Sequence, residues 1–194
     1  VIPQRTSMDL FTAIDTRCSA ITLQEPAPTP AHIQRIIEAG AHAPDHGKLA
    51  PWRFVVIEGE ARSVLGQSLV AALLAKDPAA TIEQQKRERD KVLRAPCIIT
   101  VAARIYKTNK VPDIEQVLAV GAAAQNMFLA AHALGYGVMW KTGSGAYDAN
   151  VKSALGLHVD DHIVAFLYLG KVANAGMPRA ATLENRVTWL AEKS

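Results

Sequence analysis

Behind Thr29-Pro30, Ile33, Ile36, Ile37 and Ala41 recur at helical spacing, with a capping hydroxyl and a proline at the first helical position, so a helix is expected to run to about Gly40. Before it, Ser7 or Asp9 can cap a helix that carries Leu10, Phe11 and Ile14 toward Arg17, and Gln24 to Pro30 reads as an extended, proline-rich link. After Pro51 the run Trp52-Arg-Phe-Val-Val-Ile57 has strand composition, and Glu58-Gly-Glu60 turns it. Residues Ala61 to Arg94 are helical in pattern with a break near Asp77-Pro78. Pro96 to Ala102 is short, continuous and β-branched, as strands covered on both faces are.

The clearest element spans Ile114 to Leu134. It holds no proline and one glycine, and its Ala, Leu, Met and Phe content leaves little of it to face water, which marks a central core helix. Leu134-Gly-Tyr-Gly137 supplies its left-handed stop. Val138-Met-Trp140 then reads as a short strand, Val151 to Leu155 as a helical turn, and Ile163 to Gly170 as a further strand. With no internal repeat, strands separated by helices imply one domain over 1–194, an α/β or α+β sandwich with helices on both faces of the sheet. Residues 171–194 lack a core pattern and are expected to form an arm that packs elsewhere, on a partner subunit.

Composition narrows the function. A net charge of +3 is small, and the one dense run, Lys86 to Lys91, interleaves acids with bases, which describes a solvated helix face and excludes a nucleic-acid stripe. Cys18 and Cys97 are the only cysteines and lie far apart, so no disulfide framework or thiolate metal site is encoded and a reducing cytoplasm is expected. No apolar run reaches the ~18 residues of a membrane span unbroken by charge or glycine. Val1-Ile-Pro-Gln-Arg5 lacks a secretory h-region, and the missing initiator Met reads as a trimmed start.

The unusual stretch is Ala41 to Phe54, where His42, Asp45, His46, two prolines and Trp52 crowd between patterned segments. His42-x-x-x-His46 has metal-binding spacing if helical, with Asp45 as a third ligand for a metal hydrolase, but Pro44 opposes a helix there. Ser144 lacks a nucleophile-elbow context, and neither Gly-x-Gly-x-x-Gly nor a Walker loop occurs. Arg17 and Ser19, flanking Cys18 at a helix end, offer a bidentate fork and a short donor suited to a phosphate monoester; the alternative is an arginine complementing its own helix dipole.

Arg17-Cys-Ser19, Ala43-Pro-Asp-His46 with Pro51-Trp-Arg-Phe54, Gly121 to Gly137, and Trp140-Lys-Thr-Gly143 occur in order and together resemble the signature of the FMN-dependent nitroreductase family, in particular its small bacterial NAD(P)H nitroreductase branch, from about Met8 to Lys171. The resemblance implies an α+β, three-layer α-β-α sandwich with a mixed central sheet, an interlocked homodimer, and two FMN sites at the interface built by both protomers. By position, Arg17 and Ser19 would hold the phosphate and ribityl chain, Cys18 contributing backbone. His42 and His46 would reach the flavin of the other subunit, and Trp140, Lys141 and Thr142 would border the ring or phosphate. NADH or NADPH would reduce the flavin and a nitroaromatic, quinone or related acceptor reoxidise it in a ping-pong cycle, with no side chain as nucleophile. The chain departs from the wider family at Ile21, where many relatives carry Lys, and at Asp45 to Ala50, where many carry Ser-x-Asn-x-Gln; Arg179 resembles a basic tail residue of larger relatives. A non-catalytic flavin store or sensor is the other reading of the same signature.

Overall fold

A computed structural model describes residues 8–107 and 110–190. Among them, six α-helices and five strands follow one another: α1 Leu10–Thr16, β1 Thr22–Gln24, α2 Pro30–Ala41, β2 Trp52–Glu58, α3 Ala61–Lys76, α4 Ile82–Arg89, β3 Cys97–Ala103, α5 Asp113–Ala133, β4 Gly137–Lys141, α6 Ala149–Ala154 and β5 His162–Asn174. Thr29 caps α2 with Pro30 at its start, as its sequence prescribes, and a Thr81–Gln84 capping box opens α4 after the Asp77-Pro78 break. At α1 the cap is Asp9, whose carboxylate accepts the Thr12 N–H at 3.0 Å; Ser7 lies outside the described residues.

Strands β2, β3 and β5 pair in that order, and β5 also pairs with β1 and β4. Residues 166–169 of β5 pair with β3 and β4 at once, so those two strands flank β5 on opposite sides. Every ladder is antiparallel. The expected mixed character reduces to one isolated parallel bridge, Ser19 with Val138. All seven residues of β3 are buried, because both its edges and both its faces are covered. Its odd residues Cys97, Ile99, Val101 and Ala103 pack with Ile33 and Ile36 of α2 and Val120, Ala124 and Met127 of α5; Ile98 and Ala102 pack with Leu65 and Leu69 of α3 and Val151 of α6. That is the three-layer α-β-α arrangement, with the core on both sides of the sheet.

Three expectations change. β5 runs on to Asn174, pairing Lys171, Val172 and Asn174 with β1, so residues 171–174 belong to the sheet and the arm begins after them. On α1 Ala13 is the buried residue, while Leu10, Phe11 and Ile14 face outward, because this short helix packs on the body mainly against α5. α5 is long and apolar enough to cross a membrane, contrary to the sequence expectation, yet eight of its residues are buried against the sheet and α2, as befits a core helix. Its Ile114 and Leu118, 62% and 64% exposed, extend an apolar stripe that no described residue covers.

Candidate flavin site

α1 stops at Arg17, whose backbone turns extended (φ −61°, ψ 137°) while its N–H still closes the last turn on the Ala13 carbonyl. The following residues lie along the start of β4: Ser19 bridges Val138, and the Ala20 N–H donates to the Val138 carbonyl at 3.0 Å. The Arg17 guanidinium carbon lies 5.2 Å from the centroid of the Phe128 ring, a cation–π contact from α5. Arg17 is half-buried and makes no ion pair among the described residues; the Ser19 hydroxyl is exposed and unbonded there. Above them, a Cβ on Gly176 would collide with the Ser19 carbonyl, so glycine lets the start of the C-terminal arm lie directly on this segment.

His42 ends α2 as its cap, and His46 opens a 3-10 turn over His46–Lys48. Gly47 (φ +76°), Lys48 (φ +53°) and Ala50 (φ +46°) are all left-handed, so the two imidazoles share no helical face. Asp45 accepts the Ala50 N–H at 2.8 Å and closes the loop. His46 Nδ1 lies 2.6 Å from the Glu115 carboxylate in the first turn of α5. Pro44, Asp45, His46, Glu115, Leu118 and Ala122 surround an open groove of about 510 Å³. Among the described residues no three His, Cys, Asp or Glu side chains cluster in a metal-binding arrangement.

At the far end of β4 the Trp140 ring is half-buried and its Nε1–H donates to the Val164 carbonyl at 3.2 Å, so it is a core residue of the α2/α5 side as much as a site border. Lys141 and Thr142 are exposed, and Gly143 (φ +95°) turns the chain away. Beyond Thr142, Leu69, Ala72, Leu73, Tyr147 and Asp148 help line a surface groove of about 440 Å³.

Within one chain these groups stay apart. Three strand-to-strand steps separate β4 from β2, which the His42–His46 loop precedes, roughly 14 Å. Ser19 and Lys141 stand at opposite ends of β4, three residues and roughly 10 Å apart. Phe128, His132, Glu115 and Gly176, which hold these segments, were not singled out for the site by the sequence; the four-residue step from Phe128 to His132 is the one signal that could have put both on one face of α5.

The nitroreductase-family profile matches residues 16–171. The chain belongs to the nitroreductase family. An Escherichia coli (strain K12) protein, "Putative NAD(P)H nitroreductase YdjA", is 42% identical over 167 residues, covering 84% of this chain and 88% of that one. A Haemophilus influenzae "Putative NAD(P)H nitroreductase" is 36% identical over 174 residues, covering 89% and 91%. Among solved structures, a nitroreductase-like family protein of Bacillus cereus superposes with TM-score 0.85 at 23% identity, covering 97% of this chain and 99% of that one, a likeness of fold. A Desulfovibrio desulfuricans protein, "a putative nitroreductase in complex with fmn", superposes with TM-score 0.74 at 25% identity, covering 97% and 100%. The matched span begins at Thr16, so the Arg17–Ser19 segment of this nitroreductase falls inside it.

Proposed function

We propose that this nitroreductase is a flavin-dependent oxidoreductase in which electrons pass from NADH or NADPH to a small organic acceptor, acting in the cytoplasm as a homodimer whose two FMN sites each draw residues from both protomers. The observation that carries this reading is the separation of the polar groups: Arg17 with Ser19 lie beside β4 and His42 with His46 precede β2, toward opposite edges of the sheet, so one protomer supplies two half-sites. The outward faces of α1 (Leu10, Phe11, Ile14) and α5 (Ile114, Leu118) supply the apolar surface that pairing of two copies would bury.

The donor set fits FMN. Among the described residues the Arg17 guanidinium, stacked on Phe128, makes no ion pair and the Ser19 hydroxyl no hydrogen bond, and a fork and a hydroxyl are the chemistry a phosphate monoester and ribityl hydroxyls require. Lys141 and Thr142 would border the ring or phosphate from the end of β4, and His42 and His46 of the second protomer would complete the site; Cys18 contributes backbone. Glu115 fixes the ring of His46, accepting from Nδ1–H and leaving Nε2 to face the groove. With Ile21 apolar, Lys141 is the cation left to set the field at the ring. When bound, FMN supplies the two-electron step between NAD(P)H and the acceptor, and the chain contributes binding, orientation and field, with no side-chain nucleophile.

A metal hydrolase at His42, Asp45 and His46 is not favoured, since among the described residues no three His, Cys, Asp or Glu side chains cluster in a metal-binding arrangement. The absorption spectrum of the purified protein tests the proposal. A flavin band that NADH or NADPH bleaches anaerobically, and an added quinone or nitroaromatic restores, supports it; a flavin band inert to both donors indicates a store, and a colourless chain that takes up no FMN overturns it.

A further inference from the structure

The end of α1 is gripped by two α5 residues one turn apart, Phe128 under the Arg17 guanidinium and His132 against Thr16. The Thr16 hydroxyl donates to the Thr12 carbonyl at 2.6 Å, which commits its only hydrogen. At 2.9 Å from His132 Nε2 the same oxygen is therefore the acceptor, and Nε2 carries the proton. This bond joins the rigid core helix to the residue before Arg17, across 116 positions of sequence.

We propose that His132 is a positioning residue for Arg17, fixing the α1 terminus through Thr16 and coupling the binding of a phosphate-bearing flavin to its own protonation. The coupling follows from charge. Arg17 is the charged group acting on His132 among the described residues; Tyr136, in the turn just past the end of α5, is paired instead with His32 of α2 at 2.7 Å. Burial, and then the Arg17 charge, hold His132 below the ordinary histidine range, so in the empty site a proton on its ring places a second cation beside the guanidinium. A phosphate on Arg17 offsets that charge and makes protonation easier. By reciprocity, protonated His132 favours the phosphate, so between the empty-site and bound-site titrations binding takes up a proton and tightens as pH falls.

The inference rests on the proposed phosphate contact of Arg17, and the experiment separates the two. Dissociation constants of FMN and of riboflavin, which lacks the phosphate, are measured for flavin-free wild type, His132→Gln and Arg17→Ala dimers between pH 8 and 6. Gln keeps an N–H donor for Thr16 but does not titrate. The phosphate's own ionisation near pH 6 is common to every protein and cancels in the ratio of constants. The ratio of the His132→Gln constant to the wild-type constant is expected to grow roughly fivefold from pH 8 to 6 for FMN and to stay flat for riboflavin. In wild type the His132 ring resonance is expected to titrate at higher pH with FMN bound than without, which requires no variant. A flat FMN ratio, or a His132 titration unmoved by FMN, overturns the inference while Arg17→Ala still weakens FMN; if Arg17→Ala binds FMN as wild type does, the phosphate contact falls and the inference with it.

Discussion

Gly137 opens β4 directly beneath the segment that carries Arg17 and Ser19. A Cβ built there would stand 2.5 Å from Leu23 Cδ2, 2.6 Å from Val172 Cγ2 and 3.3 Å from Ala20 Cβ. Leu23 can swing its side-chain tip, but the β-branched Val172 is stiff at χ1 and the Ala20 Cβ moves only with its backbone. Gly137→Ala therefore pushes residues 20–23 away from β4 and disturbs the Ser19–Val138 bridge. Overpacking of this kind costs about 1–3 kcal/mol, which in a domain of this length lowers Tm by about 2–12 °C. Displacing Arg17 or Ser19 from the phosphate forfeits one charge-assisted hydrogen bond, about 1.5–3 kcal/mol, or roughly 10-fold or more in the FMN dissociation constant. Gly156→Ala is the control: it imposes φ +67° on alanine in open space after α6, on the α3 side of the sheet, at about 1–2 kcal/mol. Thermal melts and FMN titrations of both variants are compared. Similar melting losses with FMN weakened only in Gly137→Ala are expected; equal FMN affinity in the two would refute the placement of the phosphate site on this segment.

Leu118→Glu puts a charge on the uncovered stripe of α5, and a shift to monomer by sedimentation with loss of bound FMN is expected; a dimer with full flavin would place the interface elsewhere. Thr100 is fully buried in β3 and its hydroxyl has no hydrogen-bond partner among the described residues, so Thr100→Val is expected to raise stability by about 1 kcal/mol in denaturant melts; a loss of stability would mean that the hydroxyl is satisfied. Burial, with the Glu58 charge second, pushes the Cys97 thiol up to about 12, so alkylating reagents at pH 8 should modify Cys18 in the native protein and reach Cys97 only after unfolding, as peptide mass mapping would read.

The elements that the sequence specified well are those whose signals are local. Thr29-Pro30, the Asp77-Pro78 break, the buried run into Ala103 and the apolar run of α5 each carry their own start, stop or period. β1 is three residues long with only Leu23 buried, and it is a strand because the extension of β5 pairs with it 149 residues later, at Leu23↔Val172 and its neighbours, which no local pattern encodes. The antiparallel pairing of the sheet is likewise non-local. Leu10, Phe11 and Ile14 showed a helix but not which side the body of the protein occupies; their outward face is where the proposed second copy would pack. Arg17, Ser19, His42 and His46 were legible as a motif in order. Their supports were not, because Glu115 meets His46 across 69 positions and His132 meets Thr16 across 116, and a hydrogen bond leaves no mark at either end of such an interval.

The central claim, that each flavin seat joins Arg17 of one protomer to His46 of the other, is tested most directly by mixing two variants. Arg17→Ala and His46→Ala homodimers are each expected to hold little FMN. After subunit exchange, half the dimers are mixed, and each carries one seat with both substitutions and one with neither, so bound FMN should rise to about a quarter of the wild-type capacity. FMN content equal to the mean of the two parents would contradict the shared seat.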